Sequence, residues 1–232
     1  MIRDTTPAAV ESRRNNPPFT WGLASRPVRT TLTAGDHCRM TDSTFVVLLR
    51  GVNLGPHRRV AAADLRSAAQ DAGLTAARTV LNSGNVVGRA AAPAATAAGA
   101  AAEAQVAARV AAALERRLGQ QVPAVAITAG RLAEVVAANP FPDAARDDPA
   151  HLLAFVPAGP VDADGIARLA REHPGPERLA LAAGALVVEY PAGLAASRLT
   201  SARIDRAAGT WLTGRNWNTV TRLLALAREL GG

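Results

Sequence analysis

The sequence predicts an α+β fold made of two α/β halves with antiparallel or mixed sheets, completed by C-terminal helices. Three observations carry that expectation. The run Phe45-Val46-Val47-Leu48-Leu49 is apolar throughout and of strand length, as a strand buried on both faces must be. From there to Thr128, apolar runs and amphipathic stretches follow in the order strand, helix, strand, strand, helix, strand, which is the ferredoxin-like order. Beyond residue 130 a similar order partly returns.

The elements are justified in turn. After the strand at 45–49, a helix over 61–72 puts Leu65, Ala68 and Ala69 on one face, with Asp64 early and Gly73 placed as its stop. Residues 78–82 and 85–87 read as two strands joined through Ser83-Gly84, where glycine permits a tight turn. An Ala/Pro/Gly connector over 90–101 leads into a helix over 102–118. This helix aligns Val106, Val110, Ala113 and Leu114, carries Glu103 early and Arg116-Arg117 late to suit the macrodipole, and stops at Gly119. A strand over 122–128 ends the first half. In the second half we expect a helix over 131–138, a strand over 151–156, a helix over 162–172 and a hairpin of 179–182 with 185–190. Helices over 197–207 and 217–230 follow. Asp143, Asp147 and Asp148 read as a solvated loop. The expected organisation is thus an extension over 1–43, a first half over 44–129 and a second half over 130–232.

Composition narrows the function classes. The first 40 residues mix four prolines with Arg, Thr and Asn and show no sustained period, so they read as disordered. Met40, directly ahead of the first strand, reads as the natural start, which would make the leader a gene-model extension. Ser12-Arg13-Arg14 lacks the apolar run an export signal needs after it, and no long uncharged apolar stretch offers a membrane span. One cysteine, Cys38, excludes an intrachain disulfide and suits a reducing cytoplasm. The net charge is +7, but every basic residue is arginine and the first 39 residues hold +3 of it. What remains is a mildly basic surface, and a nucleic-acid partner is disfavoured. The four histidines show no metal-ligand spacing, and no cofactor is implied. No pattern specifies an oligomeric state.

Four blocks carry the candidate chemistry: Arg50-Gly51-Val52-Asn53-Leu54-Gly55, Asn82-Ser83-Gly84-Asn85-Val86-Val87, Asn139-Pro140-Phe141, and Thr213-Gly214-Arg215-Asn216-Trp217-Asn218-Thr219-Val220. In this order and spacing they resemble the bacterial family known as domain of unknown function 1697, over about residues 44–230. The resemblance implies a compact α/β fold of ferredoxin-like halves and no established activity. Pro56, where the family usually continues with a second glycine, and Ala63 or its neighbour, in place of a methionine, depart from the pattern and stiffen the first loop.

Physically, the first block sets a guanidinium at the end of a buried strand beside two glycines whose backbone N–H groups can approach an anion. Alternatively, Gly51 and Gly55 serve only turn geometry and Arg50 pairs with a core carboxylate. In the last block Asn216 or Asn218 can cap the following helix, whose first-turn N–H groups lie beside Arg215. Trp217 then acts as a packing anchor. The Gly209 to Gly214 spacing brushes a Walker A pattern, but Arg215-Asn216 replaces the Lys-Ser/Thr that nucleotide hydrolysis needs.

Three readings follow. The first is a binding module in which Arg50, Gly51, Asn53, Gly55, Ser83, Asn85, Arg215, Asn216 and Asn218 recognise an anionic group, a phosphorylated small molecule or a nucleic-acid phosphate. The second is an enzyme using Ser83 with Asn82, Asn85, Asn216 and Arg215, which lacks a proton acceptor unless His57 joins. The third is a structural or interaction protein whose polar blocks only cap and turn the chain.

Overall fold

The computed structural model describes residues 42–53, 59–81, 83–91 and 99–231. The chain divides into Met1–His37 and Cys38–Gly232. The expected disorder of the leader and most of the 90–101 connector lie outside the described residues, as do Leu54, Gly55, His57 and Asn82.

In chain order the elements are β1 (Asp42–Leu49), α1 (Ala62–Asp71), β2 (Thr75–Thr79), β3 (Asn85–Ala91), α2 (Ala100–Leu118), β4 (Ala124–Thr128), α3 (Ala129–Ala137), α4 (Pro142–Asp147), β5 (Leu152–Pro157), α5 (Ala163–Glu172), β6 (Arg178–Ala182), β7 (Ala185–Glu189), α6 (Ser201–Ala208), β8 (Leu212–Asn216) and α7 (Trp217–Gly231). They build two four-stranded antiparallel sheets, ordered β2-β3-β1-β4 and β6-β7-β5-β8. Each is a complete ferredoxin-like βαββαβ unit, so the partial repeat expected from the sequence is a full one.

Alternation along the central strands creates three packed layers. Phe45, Val47 and Leu49 of β1 face α1 and α2, meeting Leu65, Val106, Val110 and Leu114. The intervening Val46 and Leu48 face a shared cluster with Leu152, Ala154 and Val156 of β5, Val187 of β7, and Leu223 and Leu224 of α7. Leu153 and Phe155 turn outward onto Ile166 and Leu169 of α5 and Ile204 of α6. Both β1 and β5 are therefore buried on two faces, which accounts for their unbroken apolar runs. Fully burying each such Val, Leu or Phe contributes about 1.5–3 kcal/mol.

Three expectations are corrected. The segment Leu212–Asn216, to which the sequence assigned no element, is the strand β8, and it closes the second sheet against β5. The acidic segment after Phe141 is not an open loop but the short helix α4, which begins with Pro142 at a position where no N–H is needed and Asp143 in its first turn. The strand expected at 78–82 lies earlier, at Thr75–Thr79, because its register with β3 shifts between Thr75 and Arg78 and Ala76 takes a φ of 51°.

Candidate functional site

The end of β1, the β2–β3 turn and β8 meet at one junction, where Ser83, Asn85 and Arg215 are found. Gly84 makes this approach possible. Its φ is 73°, and a Cβ at this position would stand 2.5 Å from Val52 Cγ2 and 2.8 Å from Leu49 Cβ.

Arg215 projects from β8 across the junction. Its Nε donates to Asn85 Oδ1 at 2.5 Å, and Nη1 to Gly214 O at 2.8 Å and Thr213 Oγ1 at 3.2 Å. Nη2 reaches Leu49 O at 2.7 Å, Ser83 O at 3.0 Å and Gly84 O at 3.3 Å. Five N–H donors thus meet six acceptors, none of them a carboxylate. Burial lowers the Arg215 pKa to about 10, so it stays a cation at neutral pH. Asn85 is fully buried, and its Nδ2 donates to Val80 O at 3.0 Å and Ser83 Oγ at 2.8 Å. The Ser83 hydroxyl therefore faces an amide donor, and no base stands beside it among the described residues.

Arg50 pairs with Asp205 of α6 at 2.6 Å, and its guanidinium lies over the Trp211 ring, 5.5 Å from the centroid. Asp205 uses its other oxygen to accept from Leu212 N at 3.0 Å. Asn53 clamps its own loop, with Nδ2 on Val60 O at 3.1 Å and Oδ1 accepting from Val60 N at 3.0 Å. Gly51 sits at the turn with a φ of 64°. Asn216 caps α7, accepting from Thr219 N at 3.0 Å and Thr219 Oγ1 at 2.7 Å, whereas Asn218 is exposed in the first turn. The structure thus brings Ser83, Asn85 and Arg215 together at the end of β1, turns Arg50 to Asp205 and Trp211, places Gly51 in the turn after β1, leaves Asn53, Asn216 and Asn218 to local duties, and does not describe Gly55. As a chemical unit, the junction is a clamp between the two sheets.

Sequence reasoning missed a second place. A groove of about 960 Å³ runs between α2 and β4 on one side and residues 157–161, the β6–β7 turn and Trp211 on the other. Ala104, Ala108 and Ala111 form its α2 wall, next to the core face of that helix. Its charged groups are Glu103, almost fully buried, and Arg131. Glu103 accepts from Thr128 N at 2.8 Å and from the Arg131 guanidinium, which remains 30% exposed toward the groove. The available signal was Glu103 itself, which stands between Ala102 and Val106 on a buried helix face and so requires a donor.

β4 contributes its outer edge to this groove. Arg50 N donates to Pro123 O at 2.8 Å, so the pairs Leu48/Val125 and Val46/Ile127 exchange hydrogen bonds. Ala124, Ala126 and Thr128 therefore turn their N–H and C=O groups away from β1. Glu103 takes the Thr128 N–H; among the described residues, the outward groups of Ala124 and Ala126 have no partner.

A third polar cluster holds the second half. His173 Nε2 meets Glu177 Oε2 at 2.6 Å, and Ser197 Oγ donates to the other Glu177 oxygen, with both the His173 and Glu177 side chains buried. Among the described residues no group of His, Cys, Asp and Glu could hold a metal ion.

A family model described as a protein of unknown function (DUF1697) matches residues 42–186. Among solved structures, the conserved bacterial protein SP0830 from Streptococcus pneumoniae is similar at a TM-score of 0.53 and 15% identity, over 80% of this chain and 99% of that one. This likeness concerns the fold. No curated protein matches.

Proposed function

The chain belongs to the DUF1697 family, a family of unknown function, and from that premise we propose that it is a binding module for a ligand carrying an anionic group. The ligand is held in the groove beside β4, with Arg131 as its anion contact. The observation that carries this reading is a largely apolar groove of about 960 Å³ with one guanidinium facing into it, the usual anatomy of a small-ligand site. The Arg50, Asn85 and Arg215 junction supports it indirectly. The Asn85 and Arg215 donors are taken up by protein acceptors, and Arg50 is held to Asp205 through one nitrogen while its Nη1 is buried without a partner among the described residues, so the junction fixes the two sheets and thereby the groove's width. A nucleic-acid phosphate is a poorer fit, since the walls are apolar and the chain beyond residue 39 is only mildly basic. Catalysis by Ser83 is poorer still, since among the described residues no base stands beside it. A chain with one cysteine, and no helix among the described residues long and apolar enough to cross a membrane, fits the cytoplasm.

The test is an amide-shift titration of the full chain with butyrate, benzoate and phenyl phosphate. We expect shifts at Ala104, Ala108 and Ala126, and affinity lowered roughly tenfold or more in Arg131→Gln, as loss of a charge-assisted hydrogen bond requires. No shift with any of the three, or shifts confined to Asn85 and Arg215, overturns the assignment to the groove.

A further inference from the structure

The unpaired edge of β4 narrows the class of ligand. Resting on the binding-module reading, we propose that the occupant of the groove is an extended peptide segment that joins the first sheet beside β4 as a fifth strand and sets a carboxylate against Arg131.

Three features converge on this occupant. The first is the backbone. Ala124 and Ala126 offer two N–H and two C=O groups spaced as a strand spaces them, and Ala126 is only 6% exposed. A small molecule would leave most of these groups unpaired, whereas an added strand pairs them all. The second is the pair of walls. Side chains of an added strand alternate in direction, so successive residues would point to the α2 side and to the Trp211 side. Ala104 and Ala108, being small, leave room for large apolar peptide side chains on the first of these. The third is charge. Thr128 is the next outward-facing position after Ala126, and there the Glu103 carboxylate has already taken the edge N–H. An added strand cannot continue past that point. Arg131 stands at this stop, tied to Glu103 through one arm of its guanidinium while the exposed remainder faces the groove. An acidic peptide residue at the end of the pairing meets that free portion, and a basic one does not.

The experiment selects a displayed library of random heptapeptides on the immobilised full chain, then follows hydrogen exchange with a synthetic copy of the enriched sequence. We expect the enriched peptides to carry Asp or Glu and to slow exchange at the Ala124 and Ala126 amides roughly tenfold or more. N-methylation of the peptide nitrogens that face β4 should weaken binding by a similar factor. Arg131→Gln should remove the preference for acidic peptides; because this change also strands Glu103, the N-methylated peptides supply the readout that leaves the protein unaltered. No enrichment, enriched peptides that leave both amides exchanging as in the free protein, or N-methylated forms that bind undiminished would each overturn the proposal. If small organic acids still shift the groove amides in such a case, the binding-module reading stands and only the peptide class falls. If neither acids nor peptides bind, both fall.

Discussion

β4 and β8 are equivalent strands, each the fourth of its βαββαβ unit and each at a sheet edge, yet the chain finishes them differently. β8 is closed off. Its outward Leu212 N–H is bonded to Asp205, and its Gly214 carbonyl accepts from Arg215. Thr213 and Arg215 then fasten the strand to the end of β1. Among the described residues β4 is protected at Thr128 alone, by Glu103, and the outward groups of Ala124 and Ala126 stay without a partner beside a groove. An exposed edge invites pairing with other chains, and proteins usually blunt it. One βαββαβ unit thus spends its polar side chains on joining the halves, while the other leaves an edge that a partner can use.

The comparison breaks first at Arg215. Replacing it by Leu leaves Asn85 Oδ1 and the Ser83 carbonyl without their donor inside the junction and the Leu49 carbonyl with Thr213 Oγ1 alone. With several buried neutral acceptors left unpaired, each at about 1–3 kcal/mol, we expect a loss of about 3 kcal/mol or more in urea unfolding, together with weaker groove binding as the sheets part. A loss below about 1 kcal/mol, the scale of a surface pair, would show that Arg215 does not couple the halves. Asp205→Ala sharpens the comparison by giving β8 an open edge like that of β4. It frees Leu212 N and strands the Arg50 cation, so about 2 kcal/mol should be lost. Sedimentation velocity should show association beyond that of the wild type; unchanged sedimentation and stability would mean that Asp205 does not guard the edge. The smallest effect concerns Glu177, in the segment that leads to β6. Burial raises its pKa, but hydrogen bonds from Ser197 and His173 outweigh this and hold it below the ordinary 4.5. A depressed folded value means the stabilisation is present above 4.5 and is lost as pH falls through the folded value. Glu177→Gln should therefore cost about 1 kcal/mol near neutrality, and the gap to wild type should close on acidification. A gap that stays constant with pH would remove the charge from the account.

Much of the fold was legible because local signals agreed with the tertiary outcome. Phe45 to Leu49 read as doubly buried, and they are covered by α1 and α2 on one side and by the shared inner layer on the other. Gly119 ends α2 as its position suggested. β8 escaped because Leu-Thr-Gly-Arg-Asn has no apolar alternation; it is a strand because the open side of β5 needs a partner, which is a tertiary cause. α4 escaped because six residues are too few to show a period, although Pro142 and Asp143 were start signals. In the site, residue type alone indicated that Asn216 could cap a helix. That Arg215 meets only neutral oxygens depends on strand ends 130 and more residues away in sequence, which no local pattern records. Glu103 looked like a partner for the helix dipole. Its pairing with Arg131 and Thr128 emerges only once α2 is laid against β4.

The acceptors around Arg215 are backbone carbonyls, an amide and a hydroxyl, none of which gains or loses a proton in ordinary water. A union made this way keeps its hydrogen bonds through the moderate acidification that would silence a carboxylate, and dissolved salt has no paired anion there to compete with. The Arg215 part of the fastening is thereby insulated from swings in acidity and ionic strength, whereas the Arg50–Asp205 pair that also joins the halves responds to both.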